Sequence, residues 1–407
     1  MFRSVCIPFD NSPSAMAAVT LAATIARPAE AAVTLAHVYA ATLHDLRFRQ
    51  MEGGLPESYR KEEKLAEQRL IHGDLIDRGL NMISQSYLDA AETCLAPAGI
   101  TPRRVSLEGK NWKRLVESIT ASDHDLVIMG AVGLGHTPAA TLGSVCERVA
   151  RRIDRDLLVV REVDVAGDAP IVVALDGSPQ SFGGLEIALW LGKSLGRPVE
   201  AVAVFDPHFH SKAFDGISRV LSPEASKVFR FKEQERLHAE IIDDGLARIY
   251  RGHLNVAVKL AAEQGVELKT TLRAGKAFEQ ILAHLRESRP WLLVMGRIGV
   301  HSDLDMDLGS ATEHLLRQAD CHLLLAARRL QPSAERIAEV ALAWSEEAEA
   351  RMARVPAFAR NLARTAVMRL AVERGESIVT SAIIDACLGM ARSEGGVMCP
   401  VNHRHPA

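Results

Sequence analysis

One feature restricts this 407-residue chain more than any other: it carries the same pattern twice, at one fixed offset. Residues 126 to 148 read LVIMGAVGLGHTPAATLGSVCER, and residues 292 to 314 read LLVMGRIGVHSDLDMDLGSATEH. Gly130, Gly133, Gly143 and Ser144 return as Gly296, Gly299, Gly309 and Ser310, each 166 positions on. Asp10, in VCIPFDNSPSA, returns as Asp176, in IVVALDGSPQS, at the same offset. A displacement kept at both ends of a unit marks two whole copies of one domain rather than one loop recurring by chance. The length itself suits two or three domains.

Within each copy, short apolar runs alternate with helical periodicity. In the first, strands are expected at Val5 to Phe9, Ala32 to Tyr39, Arg104 to Leu107, Leu126 to Met129 and Leu157 to Arg161. Helices are expected over Ser14 to Ala26, Glu57 to Ala96, Trp112 to Thr120 and Ser144 to Arg152. The second repeats the order, with strands near Ile171 to Leu175, Val199 to Phe205, Glu267 to Leu272, Trp291 to Met295 and Leu323 to Ala326. Continuous apolar strands separated by amphipathic helices imply a parallel sheet covered on both faces. Right-handed crossovers make that a doubly wound α/β domain, with its ligand crevice at the carboxyl ends of the strands where strand order reverses.

The glycine loop runs G-x2-G-x9-G-S in both copies. Glycine permits positive φ and lets the backbone come close to an anion. The closing Gly-Ser opens a helix, whose unpaired N–H groups and positive dipole end favour phosphate. Ser144 and Ser310 can add a hydroxyl donor or simply cap the helix. Asp10 and Asp176 end the first strands beside the crevice, where a carboxylate can hold ribose, the adenine amine or a metal on the phosphates. A plainer alternative stands beside this one: Asp-Asn-Ser-Pro and Asp-Gly-Ser-Pro are both good turn sequences.

Composition removes other classes. Hydrophobic residues at 48% and charged residues at 24% are ordinary for a globular chain. A net charge of -3 gives no bulk attraction to nucleic acid, and 5% aromatics give little surface for stacking bases. No apolar run approaches the roughly 20 residues that cross a bilayer. The run from Met1 to Cys6 lacks the signature of a secretory signal, and the six cysteines fall into no CxxC pair. A reducing cytoplasm is the expected location, with neither membrane nor nucleic acid as partner.

These motifs resemble the ATP-binding branch of the universal stress protein family, over about residues 1 to 162 and 169 to 329. The resemblance implies two doubly wound, Rossmann-like, five-stranded parallel-sheet α/β domains. It implies ATP as ligand, with or without Mg or Mn, and a role as a stress or energy-state regulator. Carried onto this chain, the nucleotide-binding residues are Asp10, Val38, Met129, Gly130, Gly133, Gly143, Ser144 and Val145 in the first copy. Their counterparts in the second are Asp176, Val204, Met295, Gly296, Gly299, Gly309, Ser310 and Ala311. The backbone at His37 and Val38, or Ala203 and Val204, would line the adenine pocket. The family's fifth strand commonly pairs two domains antiparallel, so Leu157 to Val160 and Leu323 to Leu325 are expected to meet as an intrachain pseudo-dimer; a further homodimer is compatible. No catalytic or metal-ligating residue is assigned, and phosphoryl chemistry is expected to be slow or nil. Signatures of related nucleotide enzymes (Ser-Gly-Gly-x-Asp-Ser, His-Ile-Gly-His, Lys-Met-Ser-Lys) do not occur, and neither glycine loop carries the lysine of a Walker Gly-Lys-Ser/Thr.

The copies also differ. The second loop carries Asp303, Asp305 and Asp307, which would repel a triphosphate unless they turn away or a divalent cation screens them. In the first copy Asn11 stands where the second has a glycine. After Arg329 a helical pattern begins, runs to about Leu370, breaks at Gly375 and resumes behind Thr380 as a last helix through Met390. Residues 334 to 393 resemble the small C-terminal domain of a light-independent protochlorophyllide reductase subunit, through Trp344, Ala348, Pro356, Arg360 and Gly375. Met368 departs from that pattern, where an acidic residue is expected. A module that docks a partner protein is implied, not a reductase, because no cysteines stand at cluster-ligating spacing. A frayed tail is expected over 394 to 407, so Cys399, His403 and His405 are not read as a metal site; His208 and His210 are read as loop residues.

Overall fold

The computed structural model describes residues 1–137, 140–163, 167–207, 243–300, 307–333, 342–376 and 378–393. His208, His210, Asp303, Asp305, Cys399, His403 and His405 lie outside the described residues.

The first copy folds as β1 (Ser4–Pro8), α1 (Pro13–Ala29), β2 (Ala32–Tyr39), α2 (Ala41–Met51), α3 (Glu62–Leu95), β3 (Arg103–Glu108), α4 (Asn111–Thr120), β4 (Leu126–Gly130), α5 (Ser144–Arg152) and β5 (Asp156–Val160). The second gives β6 (Ile171–Leu175), α6 (Pro179–Leu195), β7 (Val199–Phe205), α7 (Asp243–Glu263), β8 (Leu268–Ala274), α8 (Ala277–Ser288), β9 (Leu292–Gly296), α9 (Ser310–Gln318) and β10 (His322–Ala326). Helix α2 has no counterpart among the expected elements. It buries only Ala41, so no apolar stripe marks it in the sequence.

All ten strands join one sheet in the order β3-β2-β1-β4-β5-β10-β9-β6-β7-β8. Each half is parallel, and the order reverses between β1 and β4 and again between β6 and β9. The halves meet where β5 and β10 pair antiparallel, Leu323 opposite Val159 and Leu325 opposite Leu157. The expected pseudo-dimer is therefore one continuous sheet. Strands β5, β6 and β10 are buried along their whole length, as expected of strands covered on both faces.

A second device closes the seam, built from repeat-related residues. Glu147 and Arg151 of α5 return 166 positions on as Glu313 and Arg317 of α9. Arg151 reaches Glu313 at 2.6 Å and Arg317 reaches Glu147 at 2.5 Å, the reciprocal pattern of a two-fold axis. The first residues of β5 and β10 are also reciprocal. Asp156 Oδ1 accepts from the Ala327 and Arg328 amides at 2.8 and 3.1 Å, and His322 Nδ1 accepts from the Arg161 amide at 3.2 Å.

The C-terminal segment packs its own core around Ala348, Met352, Val367 and Ile384. It consists of β11 (Ala343–Trp344), α10 (Glu346–Ala353), α11 (Ala357–Glu373), β12 (Ile378–Val379) and α12 (Ser381–Ser393). Gly375 takes φ 69° just behind α11, which is the break expected there. The two short strands pair in parallel, a feature helical periodicity does not reveal.

Candidate functional site

The first cleft opens where β1 and β4 part. Past Pro8 the chain turns sharply, and Asn11 adopts φ 61°. Asparagine is among the few side chains that tolerate this region, so it serves where the second copy uses Gly177 at φ 86°. Ser12 then caps α1 by accepting from the Ala15 amide at 3.1 Å. Asp10 is a clasp: Oδ1 accepts from the Ser12 amide and Oδ2 from the Leu134 amide, each at 3.1 Å. This is the turn role weighed for the aspartate, and it also ties the first strand's turn to the glycine loop.

The loop glycines serve closeness of approach rather than positive φ, which none of them adopts. A Cβ on Gly130 would stand 2.7 Å from the Ser14 carbonyl carbon and 2.8 Å from the Ala15 nitrogen. A Cβ on Gly133 would stand 2.5 Å from Asp10 Oδ2, and one on Gly143 would stand 3.2 Å from the Ala131 oxygen. Gly143 donates to that oxygen at 2.7 Å and is itself the N-cap of α5. Ser144 therefore sits inside the helix and does not cap it, which settles against the capping role considered for it. With a glycine as N-cap no side chain bonds the first amides of α5, which remain orphan donors at the positive end of the helix.

A cavity of about 660 Å³ fills this angle. Asp10, Val38, Met129, Gly130, Gly133, Gly143, Ser144 and Val145 all line it. Asn111, Leu115 and His136 line it as well, and nothing in the repeat singled them out. His37 forms part of the wall, with Nδ1 at 2.8 Å from Ser84 Oγ. Burial lowers its pKa, against a smaller upward pull from Asp10, so its ring is held neutral.

The second cleft repeats the construction. Asp176 Oδ1 accepts from the Ser178 amide and hydroxyl at 2.9 and 2.6 Å, and Oδ2 accepts from the Val300 amide at 2.9 Å. Gly309 donates to the Arg297 oxygen at 2.8 Å and is the uncapped N-cap of α9. The cavity here is about 320 Å³, lined by Asp176, Val204, Met295, Gly296, Gly299, Gly309, Ser310 and Ala311. Tyr250 also lines it, where the offset places Ser84 in the first copy; that comparison was the available signal. Gln180 supports the wall, its Oε1 accepting from the Ile298 amide at 2.9 Å.

Of the three loop aspartates, Asp307 is described, and it turns away from the cleft. Both its oxygens accept from Arg151 Nη1 across the seam, at 3.2 and 3.1 Å. Hydrogen bonds from Arg151 and from the Leu308 amide hold its carboxyl below the usual range, although partial burial opposes them. Arg297, which replaces Ala131, likewise crosses the seam, its Nη2 donating to the Ala150 oxygen at 2.8 Å. Among the described residues no group of three His, Cys, Asp or Glu side chains gathers as a metal-ligand set, and no helix is long and apolar enough to cross a membrane.

No curated protein matches the chain. Among solved structures, a universal stress protein from Archaeoglobus fulgidus superposes with a TM-score of 0.53 at 14% identity, covering 79% of this chain and 97% of its own. A putative universal stress protein from Pseudomonas aeruginosa gives a TM-score of 0.46 at 13% identity, covering 80% of this chain and 93% of its own. A universal stress protein in complex with cAMP gives a TM-score of 0.26 at 26% identity, covering 39% of this chain and 97% of its own. The Archaeoglobus likeness, at that identity, speaks to fold. Residues 344–387 match the model of the proto-chlorophyllide reductase 57 kD subunit. The model of the universal stress protein family matches residues 1–161 and again residues 169–327, so the chain belongs to that family and carries its domain twice.

Proposed function

We propose that this chain is a cytoplasmic adenine-nucleotide sensor that holds ATP in its clefts and reports stress or energy state. The observation that carries the reading is the junction at Gly143 and Ser144, repeated at Gly309 and Ser310. There an uncapped helix start faces a cavity beside a loop in which, in the first copy, Gly130 and Gly133 leave no room for a side chain. Such a junction favours a phosphate. The apolar walls at Val38 and Met129 suit a base, and the Ser144 and Val145 amides would serve the phosphates. A cavity of about 660 Å³ suits a ligand of nucleotide size. Slow turnover follows from the same site, since among the described residues neither Ser144 nor Ser310 hydrogen-bonds a histidine or carboxylate that could act as base.

The test is the nucleotide content of the purified protein by mass spectrometry, compared with Gly133→Asp and Gly299→Asp variants. Adenine nucleotide should co-purify and fall with at least the first substitution. Equal and negligible content in all three proteins would refute ATP as resident ligand. A compatible second role is suggested by the separate core of residues 342 to 393 and its family match: this module docks a partner protein. Deleting residues 331 to 407 should then abolish partner capture while leaving nucleotide content unchanged.

A further inference from the structure

Two arginines that are not repeat partners make the same bridge. Arg161, one residue past β5, donates through Nη1 to the Thr141 oxygen at 2.8 Å and through Nη2 to the Leu316 oxygen at 2.6 Å. Arg297, one residue past β9, donates through Nη2 to the Ala150 oxygen at 2.8 Å and to the Asp307 oxygen at 3.4 Å. The acceptors are counterparts at the 166-residue offset, Thr141 with Asp307 and Ala150 with Leu316. The donors are not: Ala327 stands opposite Arg161, and Ala131 opposite Arg297. Each side of the seam thus has its own guanidinium, from a different strand end, on the same pair of carbonyls.

Each bridge runs from a glycine loop to the opposite half. Thr141 and Asp307 lie three residues before Ser144 and Ser310, where the loops lead into α5 and α9. Leu316 is on α9 and Ala150 on α5. Arg161 therefore ties the end of the first loop to the helix that starts at the second cleft. Arg297 ties the end of the second loop to the helix that starts at the first. Stability does not account for the pair. Arg297 is buried and Arg161 half-buried, and Arg161 Nε and Arg297 Nη1 are buried with no partner among the described residues. A desolvated cation set against neutral oxygens, with a donor unmet, is an expensive way to hold a seam.

Resting on the reading that both clefts hold adenine nucleotides, we infer that Arg161 and Arg297 are positioning residues that couple the clefts, so that a nucleotide in one orders the helix start of the other. Phosphates on the Ser144 and Val145 amides fix the end of the first loop, and Arg161 carries that ordering to α9. A nucleotide arriving at the second cleft then gives up less freedom, which makes the coupling positive. Arg297 serves the reverse direction, as linkage between two binding sites requires.

The experiment is hydrogen–deuterium exchange of the full chain carrying Gly299→Asp, which leaves one ATP equivalent in the first cleft. Saturating ATP should slow amide exchange in α5 and, across the seam, in α9 by about fivefold or more. Helix α6, on the opposite face of the sheet, should be unchanged. Adding Arg161→Ala should abolish the α9 response and keep that of α5. The mirror experiment, Gly133→Asp with and without Arg297→Ala, should lose the α5 response in the same way, and it decides if the Arg161 variant does not fold. Protection of α5 with α9 unchanged, an α9 response that survives loss of Arg161, or slowing spread equally to α6 would overturn the coupling while leaving nucleotide binding intact. No ATP-dependent protection of either helix in wild type would overturn both.

Discussion

Acid should loosen the seam between the two halves through one histidine. His322, 8% exposed, begins β10 and accepts the Arg161 amide on Nδ1 at 3.2 Å. That bond requires the neutral ring with its proton on Nε2. Burial, reinforced by the Arg161 and Arg197 guanidinium groups, pushes its pKa down to about 4, from 6.5 when free. The unfolded chain therefore takes up this proton more readily than the folded one. The stabilisation is complete above pH 6.5 and is lost as pH falls toward 4. A drop of that size corresponds to about 3 kcal/mol, at 1.36 kcal/mol per pH unit. Urea unfolding at pH 7.5 and pH 4.5 would measure it, using wild type and His322→Asn. The carboxamide oxygen of asparagine can accept the same N–H and does not titrate. Wild type should lose about 2.5 kcal/mol more than the variant between these two pH values; other buried histidines and carboxylates titrate in both proteins and cancel. Equal losses in the two proteins would show that His322 is not held neutral by the fold.

Further predictions compare buried with exposed contacts at the same seam. Asp156 is 3% exposed and accepts from two backbone amides and from Arg328 Nε at 3.0 Å. Asp156→Ala should cost about 1–3 kcal/mol in urea unfolding, because it leaves two backbone donors without their acceptor, while Arg328 keeps Glu186 as a partner. Arg151→Ala should cost only about 1 kcal/mol, and less at high salt, since its carboxylate partners are partly exposed. Gly130→Ala would press a methyl group against the backbone of α1, which cannot rotate aside. It should lower stability by about 1–3 kcal/mol in thermal unfolding and weaken nucleotide retention.

Much of this was legible in residue spacing, for identifiable reasons. Strand β6 begins and ends where its apolar run does, because a strand buried on both faces favours an unbroken apolar run, and β2 and β7 keep their expected bounds although Thr34, His37 and Glu200 interrupt them. The β5–β10 seam could be expected only by resemblance, since apolar runs do not say which partner they pair with. Each cleft gathers its eight expected residues because the repeat carried both ends of the domain. Missing were contributions from outside the repeated motifs. Tyr250 comes from a helix whose counterpart shares little sequence with it, and Arg297 looks like a surface charge until the fold turns it into the seam. The reason for the glycines was only partly legible: positive φ and close approach to an anion were both expected, whereas the structure shows no positive φ and a close approach of Asp10 and the α1 backbone.

The most direct measurement is a structure of the full chain determined with ATP. The account predicts the nucleotide in the first cleft, its phosphates within hydrogen-bonding distance of the Ser144 and Val145 amides and its base against Val38. A first cleft left vacant at saturating ATP, or a nucleotide seated with its phosphates away from the start of α5, would contradict it.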